Sequence, residues 1–186
     1  MKIILKSICM ILGIVTISAG LNQVVTYKLD SYKEHESVHY NNPSTKLIEQ
    51  RLSCLATNVY REAAGEPFEG KVAVAQVIIN RTNDPRFPQD VCGVTYQKNI
   101  IMEKVVCQFS WYCHTGSKFK PMDQDAYNES MQVSKKVLLE NFRLDSVKTA
   151  IYYHAESIHP NWKDKKKVTQ IGHHIFYKDK DETRSN

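Results

Sequence analysis

The chain has 186 residues and a formal charge of +5, from 25 Lys and Arg against 20 Asp and Glu. That length holds one domain with a sizeable core once a separate N-terminal segment is set aside. Without residues 1–20, which carry Lys2, Lys6 and no acids, the charge is +3. The cations are scattered apart from Lys163 and Lys165–Lys167, so no basic stripe of the kind that follows a nucleic-acid backbone is present, while a polyanionic wall remains a fitting partner.

Residues 1–22 read as an export signal or uncleaved signal anchor. Lys2 and Lys6 form a basic front, and Ile8 to Leu21 is a short apolar run. Ser18 and Gly20 stand where a cleavage site wants small residues. The run is short for a spanning helix, but residues 3–21 together could tether the chain to a membrane. Residues 23–44 are polar and mixed and read as a linker. Cysteine use fits export. Cys9 lies in the signal, leaving Cys54, Cys92, Cys107 and Cys113. Three pairings are open, and at least one disulfide tying 92–113 is expected in an oxidising compartment.

Residues 45–64 predict a first helix stopped by Gly65. Leu52, Leu55, Val59 and Ala63 share one stripe, with Glu62 on its edge. A carboxylate between a core and a cleft loses solvation, its pKa rises, and it becomes fit for general-acid work near neutral pH. Pro67 suits the first turn of a second helix running to about Arg81, apolar nearly all round from Val72 to Ile79 and hence central. Glu66 at the break is expected to cap this helix, and Glu69 to favour its first turn. Residues 82–121 read as irregular, punctuated by Pro85, Pro88, Gly93, Gly116 and Pro121. A third helix is expected over 123–141, with Tyr127, Met131, Val137 and Leu138 inward. Strands follow at 149–154 and 168–177, then a charged tail, 179–186. On the first strand Tyr152 and His154 share one face and Tyr153 takes the other. Helices first and strands last, without βαβ alternation, predict a small α+β domain, mainly helical with a short antiparallel element near the C-terminus.

The run Y-R-E-A-A-G-E-P-F-E-G over 60–70, leading into a helix that ends Asn80-Arg81, resembles the SleB/CwlJ family of cell-wall hydrolases, first known as spore cortex-lytic enzymes. P-R-F-P at 85–88, V-C-G-V-T-Y-Q at 91–97, Q-F-S-W at 108–111, Y-Y-H at 152–154 and I-G-H-H-I-F-Y at 171–177 match in the same order. The resemblance implies a lysozyme-like fold over 45–178, exported to the periplasm or cell envelope, free or anchored to the inner membrane, and acting on peptidoglycan glycan strands. It implies a lytic transglycosylase that cleaves N-acetylmuramic acid–N-acetylglucosamine bonds, with Glu62 acting as acid and then as base and no cofactor or metal. Glu66, Glu69, Gln108, Ser110, Trp111, Tyr152, Tyr153 and His154 are the expected substrate-binding set, and one of the strand residues is expected to orient Glu62 by a hydrogen bond.

Other readings stay open. A non-catalytic wall-binding protein could keep the same fold. A peptidase or amidase acting on the wall's stem peptides could use Cys54 with His154 or His174, or a metal held among His114, His154, His159, His173 and His174, although no HExxH-like spacing occurs.

Overall fold

The computed structural model describes residues 20–30, 43–113 and 123–180. The expected export segment up to residue 19, His114, Gly116, Pro121 and the tail from 181 lie outside the described residues. The chain divides into two units, Met1–Leu47 and Ile48–Asn186. In the first, residues 20–30 (α1) are helical with every side chain exposed, where the end of the signal and the start of a linker were expected. No described helix is long and apolar enough to cross a membrane.

The second unit is the α+β domain. Helix α2 spans Pro43–Ala63 and α3 spans Phe68–Thr82. Helix α3 is the centre: Val72, Ala73, Val74, Ala75, Val77 and Ile78 are all fully buried, which the all-round apolar pattern foretold. One of its sides joins Leu55 and Val59 of α2 with Val133 and Val137 of helix α6, Gln124–Leu138. Its other side meets Ala63, Val147, Ala150 and Phe176. Gln76, also buried, exchanges hydrogen bonds with the backbone of Leu144 in both directions, at 3.1 and 2.8 Å. A buried amide with both ends satisfied fixes the Leu144 segment against α3 without an orphan polar atom.

Helix α6 departs from the expected face. Val137 is buried and Tyr127, Met131 and Leu138 are half-buried, but Ser130 and Ser134 are among its deepest residues. Their hydroxyls donate to the carbonyls of Ala126 and Ser130, each at 2.8 Å. Satisfied inside their own helix, they bury as small residues and let α6 approach α3.

The region expected to be irregular holds four elements: α4 (Val91–Thr95), strands β1 (Lys98–Ile101) and β2 (Lys104–Cys107), and α5 (Ser110–Cys113). Asp90 caps α4, accepting from the N–H groups of Cys92 and Gly93, and also receives Arg51 of α2 at 3.1 Å. Cys54 is bonded to Cys92, and Cys107 to Cys113. The hairpin is antiparallel, reverses at Met102 and Glu103 with φ of 47° and 62°, and leaves Ile100 and Met102 exposed. Its strands are four residues each, too short to stand out from the surrounding turn residues.

The second sheet is antiparallel in the order β3–β5–β4, from Tyr152–Ala155, His174–Asp179 and Lys165–Ile171. What read as one strand over 168–177 is therefore a hairpin. Gly172, at φ +56°, is the first central residue of a two-residue turn with His173, an arrangement whose twist matches that of paired strands. Arg86 and Lys165 both pair with Asp179 at 2.8 Å, tying the end of β5 to the loop after α3.

Candidate active site

Glu62 lies in the last turn of α2, half-buried on the side facing β3. Alternation along β3 sends Tyr153 inward, and its hydroxyl donates to Glu62 Oε2 at 3.2 Å. The Tyr153 ring packs against His174 and Phe176 of β5. This is the strand residue that holds the carboxylate, and the register of β3 against β5, with Tyr153 opposite Phe176, sets where it points.

Burial raises the pKa of Glu62; the Tyr153 hydrogen bond, the charge of Arg81 and the Trp111 indole N–H oppose the rise in that order and do not cancel it. The same burial pushes the Tyr153 hydroxyl well above its usual range, with the charge of Glu62 adding to it. Tyr153 therefore keeps its proton and stays a donor to the Glu62 carboxylate. The Trp111 N–H acts on Glu62 without forming a well-aligned bond, because Nε1 is buried and unpartnered among the described residues. The indole is wedged by Phe109, Tyr96 and Tyr112, with ring centroids about 6 Å away.

Arg81 is a feature the sequence reading left without a role. It is buried at the end of α3, donates from Nε to the Ile151 carbonyl at 2.8 Å, and stacks over Phe87 and Phe109. Desolvation lowers its pKa, and the nearby Tyr153, Tyr152 and Glu62 charges counter this. A buried guanidinium behind a buried carboxylate moderates the cost of ionising it. Asn58, one turn before Glu62 on α2, is fully buried with both amide atoms unpartnered among the described residues. Nothing in its apolar stripe signalled this.

Glu66 is placed differently from expectation. The N-cap position of α3 is Pro67, with no side-chain cap bond, so Glu66 does not cap. Its carboxylate turns to the β4–β5 turn and accepts from the His173 backbone N–H at 2.9 Å and from its Nδ1 at 3.1 Å, with His174 Nδ1 at 3.7 Å. Neighbours on one strand face opposite ways, but both histidines reach Glu66 because His173 sits in the turn. Burial lowers the His174 pKa, and Glu66 opposes that.

The rest of the expected set is scattered. Glu69 is exposed in the first turn of α3, where a negative charge suits the helix dipole. Gln108 is half-buried, and its backbone N–H donates to the Gln97 carbonyl at 2.9 Å. Ser110 opens α5 on the surface beside Trp111. Tyr152 and His154 lie on the far face of β3, away from Glu62, as the alternation requires. There His154 Nδ1 donates to the Ala155 carbonyl at 2.8 Å, leaving Nε2 to accept from the Tyr177 hydroxyl at 2.9 Å. Trp162 completes that cluster against Tyr152, His154 and Tyr177. Neither Tyr152 nor His154 joins the Glu62 site. Cys54, weighed as a nucleophile, is bonded to Cys92 and offers no thiolate.

The site thus gathers Glu62, Tyr153, Trp111 and Arg81 from α2, β3, α5 and α3: a buried acid, two donors and a moderating cation. The chain is 54% identical over 46 residues to a spore cortex-lytic enzyme of Bacillus subtilis, covering 25% of this chain and 15% of that protein. It is 32% identical over 129 residues to one of Oceanobacillus iheyensis, covering 68% and 41%. The chain spans less than half the length of these relatives. Among solved structures it is similar to the catalytic domain of the germination-specific lytic transglycosylase SleB of Bacillus anthracis, at 27% identity and a TM-score of 0.50, over 69% of this chain and 93% of that one. The small α+β, lysozyme-like arrangement accords with that likeness. The family model described as Cell Wall Hydrolase matches residues 65–177, and the chain belongs to that family.

Proposed function

We propose that this chain degrades peptidoglycan as a lytic transglycosylase, cleaving the bond between N-acetylmuramic acid and N-acetylglucosamine, with residues 45–178 as the catalytic domain and the cell envelope as its place of action. The observation that carries the reading is Glu62 itself: a carboxyl whose pKa burial raises, held by Tyr153 in a site shared with Trp111. Glycosidic cleavage needs a proton for the leaving oxygen and a nucleophile for the sugar's C1. Glu62 gives its proton to the glycosidic oxygen as the C1–O bond breaks. Its carboxylate then takes the proton of the same sugar's 6-hydroxyl as that oxygen bonds to C1. The product carries a 1,6-anhydro ring, no water is consumed, and Glu62 ends protonated. The route needs one carboxylate and no metal. The likeness to the catalytic domain of the Bacillus anthracis lytic transglycosylase SleB supports it.

In this reading Trp111 and Gln108 contact the sugars beside Glu62, and Tyr153 orients the carboxylate. Digestion of purified sacculi followed by mass spectrometry tests it. Anhydromuramoyl ends are expected, with a loss of about 10²- to 10⁴-fold in Glu62→Gln. Reducing muramic ends would instead make the enzyme a hydrolase that activates water. Wall binding with no cleavage by the wild type would make it a binding protein.

A further inference from the structure

A cavity of about 440 Å³ opens between α3 and α6, with Glu66 and Pro67 at the helix break in its lining. Phe68 and Val133 give it an apolar wall, and Phe68 is paired with Phe142 at a ring separation of 6.0 Å. Its polar lining is charged. Lys71, 7% exposed, reaches Glu129 at 2.7 Å, and Lys136, Gln132 and Glu66 complete the rim. Two of these charged side chains, Lys71 and Glu66, are nine-tenths buried where they meet the cavity.

We infer that this cavity receives the peptide stem carried by the muramic acid next to the cleaved bond, with Lys71 and Lys136 taking its carboxylates and Glu129 its side-chain ammonium. The inference rests on the peptidoglycan reading of Glu62. Neutral sugar rings gain little from a mouth lined by both signs of charge, whereas a stem peptide carries carboxylates, an amine and alanine methyls on one short chain. The volume lies within the range of small-ligand sites, too large for a single N-acetyl methyl. Placement supports the assignment. Glu62 meets Tyr153 at 3.2 Å, Tyr153 packs edge-on against His174 at 5.2 Å, His174 lies 3.7 Å from Glu66, and Glu66 lines the cavity. Packed side chains therefore tie the Glu62 site to the wall of this cavity, and Glu66 stands only four residues after Glu62 in the chain. Charge at the mouth also gives selectivity, because the buried Lys71 and the exposed Glu129 present both signs of charge to a ligand of matched charges.

Two readouts test it. The first is a titration of the full chain with a stem tetrapeptide, L-Ala–γ-D-Glu–diaminopimelate–D-Ala, followed by amide chemical shifts. Shifts at Phe68, Lys71 and Gln132 are expected, and none at millimolar peptide overturns the site. The second compares kcat/KM on stem-bearing strands with that on strands stripped of peptide by an amidase. Gln132→Trp, an exposed position that fills the mouth, and Lys71→Met should each lower that preference about tenfold, the worth of one charge-assisted contact. An unchanged preference in both variants overturns the inference. If neither strand is cleaved by the wild type, the glycosidase reading fails on its own, and the peptide titration still decides the cavity.

Discussion

The hydroxyl of Tyr153 and the carboxylate of Glu62 meet at 3.2 Å although the two residues lie 91 positions apart. The bond joins the end of the first long helix to the first strand of the C-terminal sheet, and it opposes the desolvation that raises the Glu62 pKa. Removing a donor that favours the charged form moves the pKa further up.

The pH profile of cleavage follows from that sign. In the proposed mechanism the acid form of Glu62 starts the reaction, so the rate should fall as pH climbs through the raised pKa. Tyr153→Phe should move the descending limb to higher pH and lower the maximum rate by about tenfold through lost orientation. Trp111→Phe should move the limb the same way by less, since its influence on Glu62 ranks below those of Tyr153 and Arg81. A limb that stays in place, or moves to lower pH, in Tyr153→Phe would show that another group sets the profile.

Stability offers an independent measure of the same carboxyl. Glu62 titrates above the ordinary value of 4.5 when folded. Well below that value it is protonated in both states and its contribution is fully present. As pH rises, the unfolded chain loses the proton first, and folding is progressively disfavoured until the folded pKa is passed. Glu62→Gln has no such titration. Its melting temperature should exceed that of the wild type at neutral pH and converge with it in acid. A difference that is constant across pH, or that grows in acid, would mean that Glu62 is not desolvated.

Much of the helical frame was legible in the residues, because periodicity over 15 or more positions reports which face is buried. Helix α3 shows this best, and the edge position of Glu62 on α2 came from the same pattern. The pairing of Tyr153 with Glu62 could be stated only as one of three options on a strand, since alternation gives opposite faces but not which face meets the helices. Glu66 was misplaced for a related reason. Local rules offered it a cap, while its partner, the N–H of His173, lies 107 residues away. The buried serines of α6 and the isolated Asn58 were invisible because burial of a polar residue depends on what surrounds it in space. The β1–β2 hairpin was missed because four-residue strands with exposed apolar side chains carry no inside-outside alternation.

The two disulfides should differ in worth. Cys54–Cys92 closes a 38-residue separation and ties α2 to α4, whereas Cys107–Cys113 closes only six. Loop-closure entropy then assigns about 4 kcal/mol to the first and about 2 kcal/mol to the second. Urea unfolding of Cys54→Ser/Cys92→Ser and Cys107→Ser/Cys113→Ser variants measures both. The first pair should show the larger loss. Equal losses would mean that strain or residual structure in the unfolded chain outweighs closure entropy.

Gly172 and Glu66 should be energetically coupled. Gly172 turns at φ +56°, and a Cβ added there would stand 1.9 Å from Glu66 Oε2 and 3.1 Å from Pro67 Cδ. The carboxylate cannot step aside freely, because it already accepts from the His173 backbone N–H at 2.9 Å and the ring at 3.1 Å. Gly172→Ala therefore pays twice, with about 1–2 kcal/mol for the left-handed backbone and a further loss as Glu66 is pushed off His173. In a Glu66→Ala background the second loss is gone, and the backbone strain and the Pro67 contact remain. A double-mutant cycle by urea unfolding should then give a coupling of about 1 kcal/mol or more, in the direction that makes the pair less destabilising than the sum of its members. Additive losses would mean that the turn yields without disturbing Glu66, and that the contact between the helix break and the β4–β5 turn is not what fixes the wall between Glu62 and the cavity.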